Sequence, residues 1–196
     1  MSNALPASAV SQTGAGLLLR PVAPDDLGAI TGIYGHHVRT GTASFEAEAP
    51  DRAEMARRCE ALTLQGYPYL VAEKDGALLG YAYVSAYRPR AAYRDTVENS
   101  IYLRPDATGQ GLGSRLLAAL IEACEHLRYR QMIAVIGGQT NLPSIHLHLR
   151  HGFRHVGVLR AVGYKHGQWL DTVLLQRSLG FGDTAPPTST ACSAPR

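Results

Sequence analysis

The chain has 196 residues, 45% hydrophobic and 18% charged, a balance that excludes collagen, coiled coil and wholesale disorder and is enough for one domain with its own core. Its formal net charge of +3 comes from scattered Lys and Arg with no basic run, so no nucleic-acid partner is expected, although a local field can still favour an anionic ligand. Cys59, Cys124 and Cys192 show no CxxC spacing, which points to a reducing compartment and a cytoplasmic location. No apolar run approaches the ~18–20 residues of a membrane span, so no membrane partner is expected. Residues 1–16 lack the charged and apolar regions of a signal peptide. With the Pro-, Ser- and Thr-rich residues 180–196, they read as disordered tails around a folded domain at 17–179.

In chain order, Leu17–Val22 predicts a short strand. Pro24 and the acidic pair Asp25-Asp26 open a helix whose apolar positions Leu27, Ile30, Tyr34 and Val38 recur at helical spacing. Thr42–Phe45 predicts a brief extended piece. Asp51 and Glu54 resemble a capping box before a helix through Leu64. Tyr69–Lys74 and Leu78–Ala86 predict two strands joined by the tight turn Asp75-Gly76. A basic aromatic loop runs from Tyr87 to Arg94, and Thr96–Leu103 predicts the next strand. A glycine-rich loop, Thr108–Gly113, leads into a long helix with Leu112, Leu116, Leu120, Cys124 and Leu127 on one face. Met132–Ile136 predicts a buried strand, and Asn141 and Pro143 start a helix that stops near Gly152. Phe153–Leu159 and Leu170–Leu175 predict the closing strands. The order predicts a mixed α/β domain.

Three segments carry chemistry. The first ends a strand at Ile101, Tyr102 and Leu103, continues through Gly109, Gln110, Gly111, Leu112 and Gly113, and enters the long helix near Ser114. The first N–H groups of a helix lack internal partners and carry the positive end of its dipole, and glycine lets a phosphate approach the backbone closely. A pyrophosphate is the natural ligand; the plain alternative is a helix start that uses glycine to turn. A P-loop would need Gly-Lys-Ser/Thr, and a dinucleotide fingerprint would need a glycine at Ser114 or Leu116; neither is present. The second segment runs from Asn141 through Ser144 and His148 to Gly152-Phe153, where Asn141 also reads as a plain helix cap. In the third, strand alternation puts Val97, Asn99, Ile101 and Leu103 on one face and Glu98, Ser100 and Tyr102 on the other. By composition alone Glu98 reads as a solvent-face carboxylate paired across the sheet.

His146, His148, His151 and His155 cluster in sequence, but helical spacing spreads them and no Cys or acidic partner completes a tetrahedral set, so no metal is expected. Arg88, Arg90 and Tyr93 precede Glu98. An arginine fork matches a carboxylate, so Arg90 and Tyr93 are candidates to hold a substrate carboxylate or oxyanion beside Phe45, against the alternative of an ordinary basic surface loop.

The loop Thr108–Gly113 resembles the Q/R-x-x-G-x-G/A pyrophosphate loop of the GCN5-related N-acetyltransferases, with Thr108 replacing the usual Gln or Arg. The run Asn141 to Phe153 resembles that family's second signature. Ser44-Phe45-Glu46, Ala91-Ala92-Tyr93, Thr96-Val97-Glu98, Ala134–Gly137 and Leu159–Asp171 are similar to the phosphinothricin and methionine sulfoximine acetyltransferase branch, over most of residues 18–179. The resemblance implies one domain with a central mixed twisted sheet flanked by helices on both faces. It implies acetyl-CoA as co-substrate, held by residues 101–103, 109–114, Asn141 and Ser144, and a homodimer.

It also implies acetylation of a small amino-acid-like amine, with Glu98 as base, directly or through water, and His148 near the reacting centre. A backbone N–H near 101–103 would polarise the thioester carbonyl. Acetyl transfer would be direct, without a nucleophilic cysteine. A peptide or protein amine acetyltransferase, and a non-catalytic CoA-binding sensor, are the alternative functions.

Overall fold

The structure is a computed structural model and describes residues 11–13 and 16–187. The expectations for 1–10, 14–15 and 188–196, and the one for Cys192, lie outside the described residues. The strands are β1 (Ser11–Thr13), β2 (Leu17–Pro21), β3 (Tyr69–Lys74), β4 (Ala77–Ala86), β5 (Thr96–Leu103), β6 (Gln131–Gly137), β7 (Arg154–Lys165) and β8 (Gln168–Ser178). The helices are α1 (Leu27–Thr40), α2 (Arg52–Leu64), α3 (Leu112–His126) and α4 (Leu142–Arg150).

The strands form one eight-stranded sheet in the order β1-β2-β3-β4-β5-β6-β8-β7. Every neighbouring pair is antiparallel except β5 with β6, which the long crossover through α3 makes parallel. Helices α3 and α4 cover one face, where Leu116, Leu117 and Leu120 of α3 pack fully buried against Val84, Val97 and Leu175. Each such leucine contributes about 1.5–3 kcal/mol by leaving water. Helices α1 and α2 cover the other face, where Ile30, Val38 and Met55 meet Tyr69, Val71 and Tyr81. The mixed α/β sheet with helices on both faces is therefore the fold observed.

Local chemistry sets the element ends. Asp51 caps α2 by accepting the Glu54 N–H at 2.8 Å. The Glu54 carboxylate does not close the box back onto the cap. It pairs instead with Arg58 at 2.6 Å, a full turn along the same helix. Asp75 and Gly76 both take left-handed backbone, at φ 51° and 77°, as the tight β3–β4 turn requires.

Four expectations need correction. Thr42–Phe45 bends and forms no strand: it pairs with no neighbouring strand, and its Ser44 carbonyl bonds to Lys165 instead. The closing strands are longer than Phe153–Leu159 and Leu170–Leu175. They run as one hairpin to a turn at His166-Gly167, with register shifts between His155 and Gly157 and between Leu159 and Gly163. Ser11–Thr13, in the stretch expected to be tail, pairs with Leu17–Leu19 as an edge strand. Residues 181–187 turn back on the domain, where the Arg130 guanidinium donates to the Ala185 and Pro186 carbonyls at 2.5 and 2.8 Å.

Candidate active site

The site begins where two parallel strands part. Strand β5 pairs with β4 as far as Leu103↔Gly80, but with β6 only as far as Asn99↔Ala134. From Ser100 to Leu103 the β6-facing edge of β5 therefore has no partner strand. Those backbone groups are strong donors and acceptors that must be satisfied by something other than the sheet. The Leu103 carbonyl is taken by α1, whose His37 donates from Nε2 at 2.8 Å.

The gap opens into a cleft of about 600 Å³. Its walls contain Ile101, Tyr102 and Leu103 from β5, Gly109, Gly111, Leu112, Gly113 and Ser114 from the loop and first turn of α3, and Asn141, Ser144 and His148 from α4. The structure thus brings together almost every residue expected to hold the cofactor. Gln110 is left out of the wall, and its amide turns back to donate to the Asp106 carbonyl at 3.2 Å.

The loop is built for close approach. Gly109 and Gly111 have φ of 76° and 75°, and a Cβ at either position would stand in open space, so the glycines serve backbone shape and access. Gly111 caps α3 without any side-chain hydrogen bond, which leaves the first-turn N–H groups of a long helix facing a potential anion. Gly113 faces Leu147 and Leu103, where a Cβ would lie 3.4 and 3.6 Å away, so this glycine also lets α3 pack on α4 and β5. These features fit a pyrophosphate. Thr108 donates its hydroxyl to the Pro105 carbonyl at 3.0 Å and shapes the loop. Asn141 is both a cap and a wall residue: its Oδ1 accepts the Ser144 N–H at 3.4 Å while the residue lines the cleft.

Glu98 and His148 lie on opposite faces of the sheet. Glu98 sits directly across from Ser85 of β4, on the α1–α2 face. It makes no ion pair or hydrogen bond among the described residues, and burial pushes its carboxyl above the usual range. The plain alternative, a solvent-face carboxylate paired across the sheet, finds no hydrogen-bond or ion-pair partner among the described residues. On this same face Tyr34, Met55, Arg58, Leu62, Tyr83 and Ser85 line a second cavity of about 330 Å³. Its Arg58 is already matched by Glu46 and Glu54, each at 2.6 Å. His148 lies on the α4 face, only 4% exposed, with Phe153 edge-on at 4.9 Å.

The loop Gly41–Glu46 reaches over the open ends of the strands. The buried Lys165 of β7 donates from Nζ to the carbonyls of Gly41 and Ser44 at 3.0 and 2.7 Å. The Phe45 ring rests against Gly163 and Gly137, where a Cβ would come within 2.4 and 2.9 Å of ring atoms. Tyr34 donates to the Glu46 carboxylate and accepts from the Ser44 hydroxyl, both at 2.9 Å, and burial pushes the tyrosine up to about 12. Arg90 and Tyr93 stand on the exposed β4–β5 connection, with Tyr93 edge-on to Tyr87 at 5.8 Å. Neither these two nor Phe45 and Glu98 line the cleft. His37, Asn99 and Lys165 were not expected at the site. Each acts through a partner more than thirty residues away, so no local pattern marks it.

A splayed parallel strand pair, a glycine-shaped helix start at the splay and a half-buried unpaired carboxylate beside it define an acyl-transferase type of site. Residues 31–153 match the Acetyltransferase (GNAT) family, and the chain belongs to that family as an N-acetyltransferase. It is 57% identical over 169 residues to a phosphinothricin N-acetyltransferase of Alcaligenes faecalis, covering 86% of each chain. It is 40% identical to an L-methionine sulfoximine/L-methionine sulfone acetyltransferase of Pseudomonas paraeruginosa, covering 86% of this chain and 98% of that one. Among solved structures, a GNAT superfamily phosphinothricin acetyltransferase from Sinorhizobium meliloti in complex with acetyl-CoA superimposes with a TM-score of 0.87 at 48% identity, over 91% of this chain and 96% of that chain.

Proposed function

We propose that this protein transfers an acetyl group from acetyl-CoA to the amine of a small amino-acid analogue of the phosphinothricin, methionine sulfoximine or methionine sulfone type. The observation that carries the reading is Glu98, a half-buried carboxylate without a partner, next to the strand edge that bounds the cleft. The names of the relatives supply the substrate class.

Bound acetyl-CoA supplies the activated acyl group as a thioester. The first-turn N–H groups of α3 and the backbone of Gly109 to Gly113 hold its pyrophosphate. The open edge of β5 at residues 101–103 offers a backbone N–H to the thioester carbonyl. An amine is mostly protonated at neutral pH and cannot attack. Glu98, whose carboxyl burial holds above the ordinary carboxylate range, removes that proton directly or through a water. Acetyl transfer to the amine is direct. Cys59 and Cys124 are buried, and burial raises both thiols, which suits neither as a nucleophile.

Because Glu98 faces the α1–α2 side, the acceptor enters there, between the Gly41–Glu46 loop and the β4–β5 connection. Phe45 lines its path, and Arg90 with Tyr93 holds its anionic head. The protein works as a homodimer in the cytoplasm: edge strand β7 and its hairpin expose Val156, Leu159, Val162, Tyr164 and Trp169, and the two described cysteines are free. The deciding assay measures thiol release from acetyl-CoA across phosphinothricin, methionine sulfoximine, methionine sulfone, free lysine and a lysine-containing peptide. A peptide that beats the amino-acid analogues in kcat/KM makes the protein a peptide amine acetyltransferase. No turnover with any amine makes it a sensor.

A further inference from the structure

Asn99 stands at the last paired position of β5, where the ladder to β6 ends, and it is 6% exposed. Its Nδ2 donates to the Ile133 carbonyl of β6 at 3.1 Å. This bond fixes which way the amide points, because the flipped amide would set two carbonyl oxygens against each other. Asn99 Oδ1 is thereby directed at His148 Nε2, 2.9 Å away. On the other side of the ring, Nδ1 lies 2.8 Å from the Ser144 carbonyl.

Both partners of the imidazole are acceptors. Both contacts hold at once only for a doubly protonated ring, and the surroundings oppose a cation. The ring is buried, and burial lowers its basicity. On α4, His146 and Arg150 line the same cleft, and His151 bonds Ser114 of α3 at 2.7 Å. From β8, Arg177 reaches His151, and the Glu125 carboxylate of α3 faces Arg177 at 3.5 Å rather than His148. From β5 the ring meets the neutral amide of Asn99, Phe153 stands edge-on to it, and the cleft walls from β5 and β6 near it, Ser100, Ala134 and Ile136, carry no charge.

A neutral ring must choose one contact. The Ser144 carbonyl is the i−4 acceptor of the helix and already takes the backbone N–H of residue 148. Asn99 Oδ1 has no other donor among the described residues, and an unpaired buried acceptor is the costlier outcome. The proton therefore belongs on Nε2.

We propose that Asn99 is a positioning residue: it ends the β5–β6 ladder and holds the His148 imidazole, as the neutral Nε2–H tautomer, in the wall of the acetyl-CoA cleft. His148 then shapes the cleft and gives no proton to the leaving thiolate. This inference rests on the reading of the cleft as the acetyl-CoA site, but its first test does not depend on turnover.

In protein labelled with 15N-histidine, the His148 signal is assigned by its loss in His148→Gln, and long-range 15N–1H correlations report which ring nitrogen carries hydrogen. A neutral Nε2–H ring at neutral pH is expected; an Nδ1–H ring or an imidazolium there overturns the proposal. In Asn99→Leu the ring should move to the Nδ1–H tautomer, and the acetyl-CoA Kd should rise about tenfold or more as the strands lose their fixed spacing. His148→Gln can still donate to Asn99 Oδ1, so it should keep more acetyl-CoA affinity than His148→Leu, and its pH–rate profile should stay unshifted. A loss of ~10²-fold or more in kcat at unchanged acetyl-CoA affinity would make His148 the proton donor and overturn the proposal. Should wild type turn over no amine while the tautomer is as stated, the proposed function fails and the Asn99–His148 arrangement stands.

Discussion

Glu98 and Asn99 are neighbours on β5 whose side chains leave opposite faces of the sheet, so one residue serves the acceptor side and the next serves the cleft wall. The two functions are separable by mutation for that reason. Substitution at Glu98 leaves the Asn99 bonds untouched.

Glu98→Gln keeps the shape and removes the base. At neutral pH and saturating acetyl-CoA, kcat should fall by ~10²–10⁴-fold, with partial recovery at high pH where more of the amine arrives deprotonated. In wild type the acid limb of the pH–rate profile should lie above the ordinary carboxylate value of about 4.3, since burial raises the Glu98 carboxyl. Superimposable profiles for wild type and variant would remove Glu98 from the chemistry.

The same shift has a consequence for stability. The folded protein binds the Glu98 proton more tightly than the unfolded chain does. Its contribution is therefore fully present below the unfolded value and is lost as pH rises through the raised folded one. Urea titrations of wild type and Glu98→Gln should diverge across that window, with the variant gaining relative stability as pH rises and the gap constant above it. A gap independent of pH would mean an ordinary, solvated carboxylate.

Gly111→Val places a β-branched residue at φ 75°, a conformation that costs of order 1–3 kcal/mol, and sets a side chain where a phosphate must approach. Calorimetry should show weakened acetyl-CoA binding, while Gly111→Asn, which tolerates left-handed backbone, should bind better than the valine variant. Unchanged affinity in a folded Gly111→Val protein would sink the proposed cradle.

Lys165→Met removes the two hydrogen bonds that tie the Gly41–Glu46 loop to β7 and leaves the Gly41 and Ser44 carbonyls without that donor. A loss of about 1–3 kcal/mol is expected, read from denaturant midpoints. The KM for the amine should rise more than that for acetyl-CoA, because the loop carries Phe45. Equal effects on both would place the loop away from the acceptor.

Gly163→Val would drive a side chain into the Phe45 ring, since a Cβ there already comes within 2.4 Å of it. Phosphinothricin kcat/KM should fall at least as far as in Phe45→Ala, and the double variant should add little further loss. Additive losses would mean that the two residues act independently.

Several parts of the site could be read locally. The alternation of β5 assigns Glu98 and Asn99 to opposite faces, and the spacing of Gly109, Gly111 and Gly113 before an amphipathic helix marks an anion-binding turn. Asn141 reads as a cap and is one. The Thr42–Phe45 segment reads as extended, because nothing local tells whether a neighbouring strand or the distant Lys165 takes its Ser44 carbonyl. The β7–β8 hairpin is longer than its sequence suggests, because its strands continue across register shifts that only the pairing reveals.

The sequence by itself determined the local chemistry of this protein: the elements, the faces of β5, the glycine loop and the buried surfaces of α1 and α3. These depend on residues a few positions apart, whose geometry the backbone period dictates. The tertiary structure alone decided where β5 leaves β6, that His37 reaches the Leu103 carbonyl, that Asn99 stands between Ile133 and His148, and that Lys165 holds the loop bearing Phe45. Those bonds join residues from 34 to 124 positions apart. Their partners become neighbours only once both faces of the sheet are packed, because burial leaves each polar group no solvent to turn to.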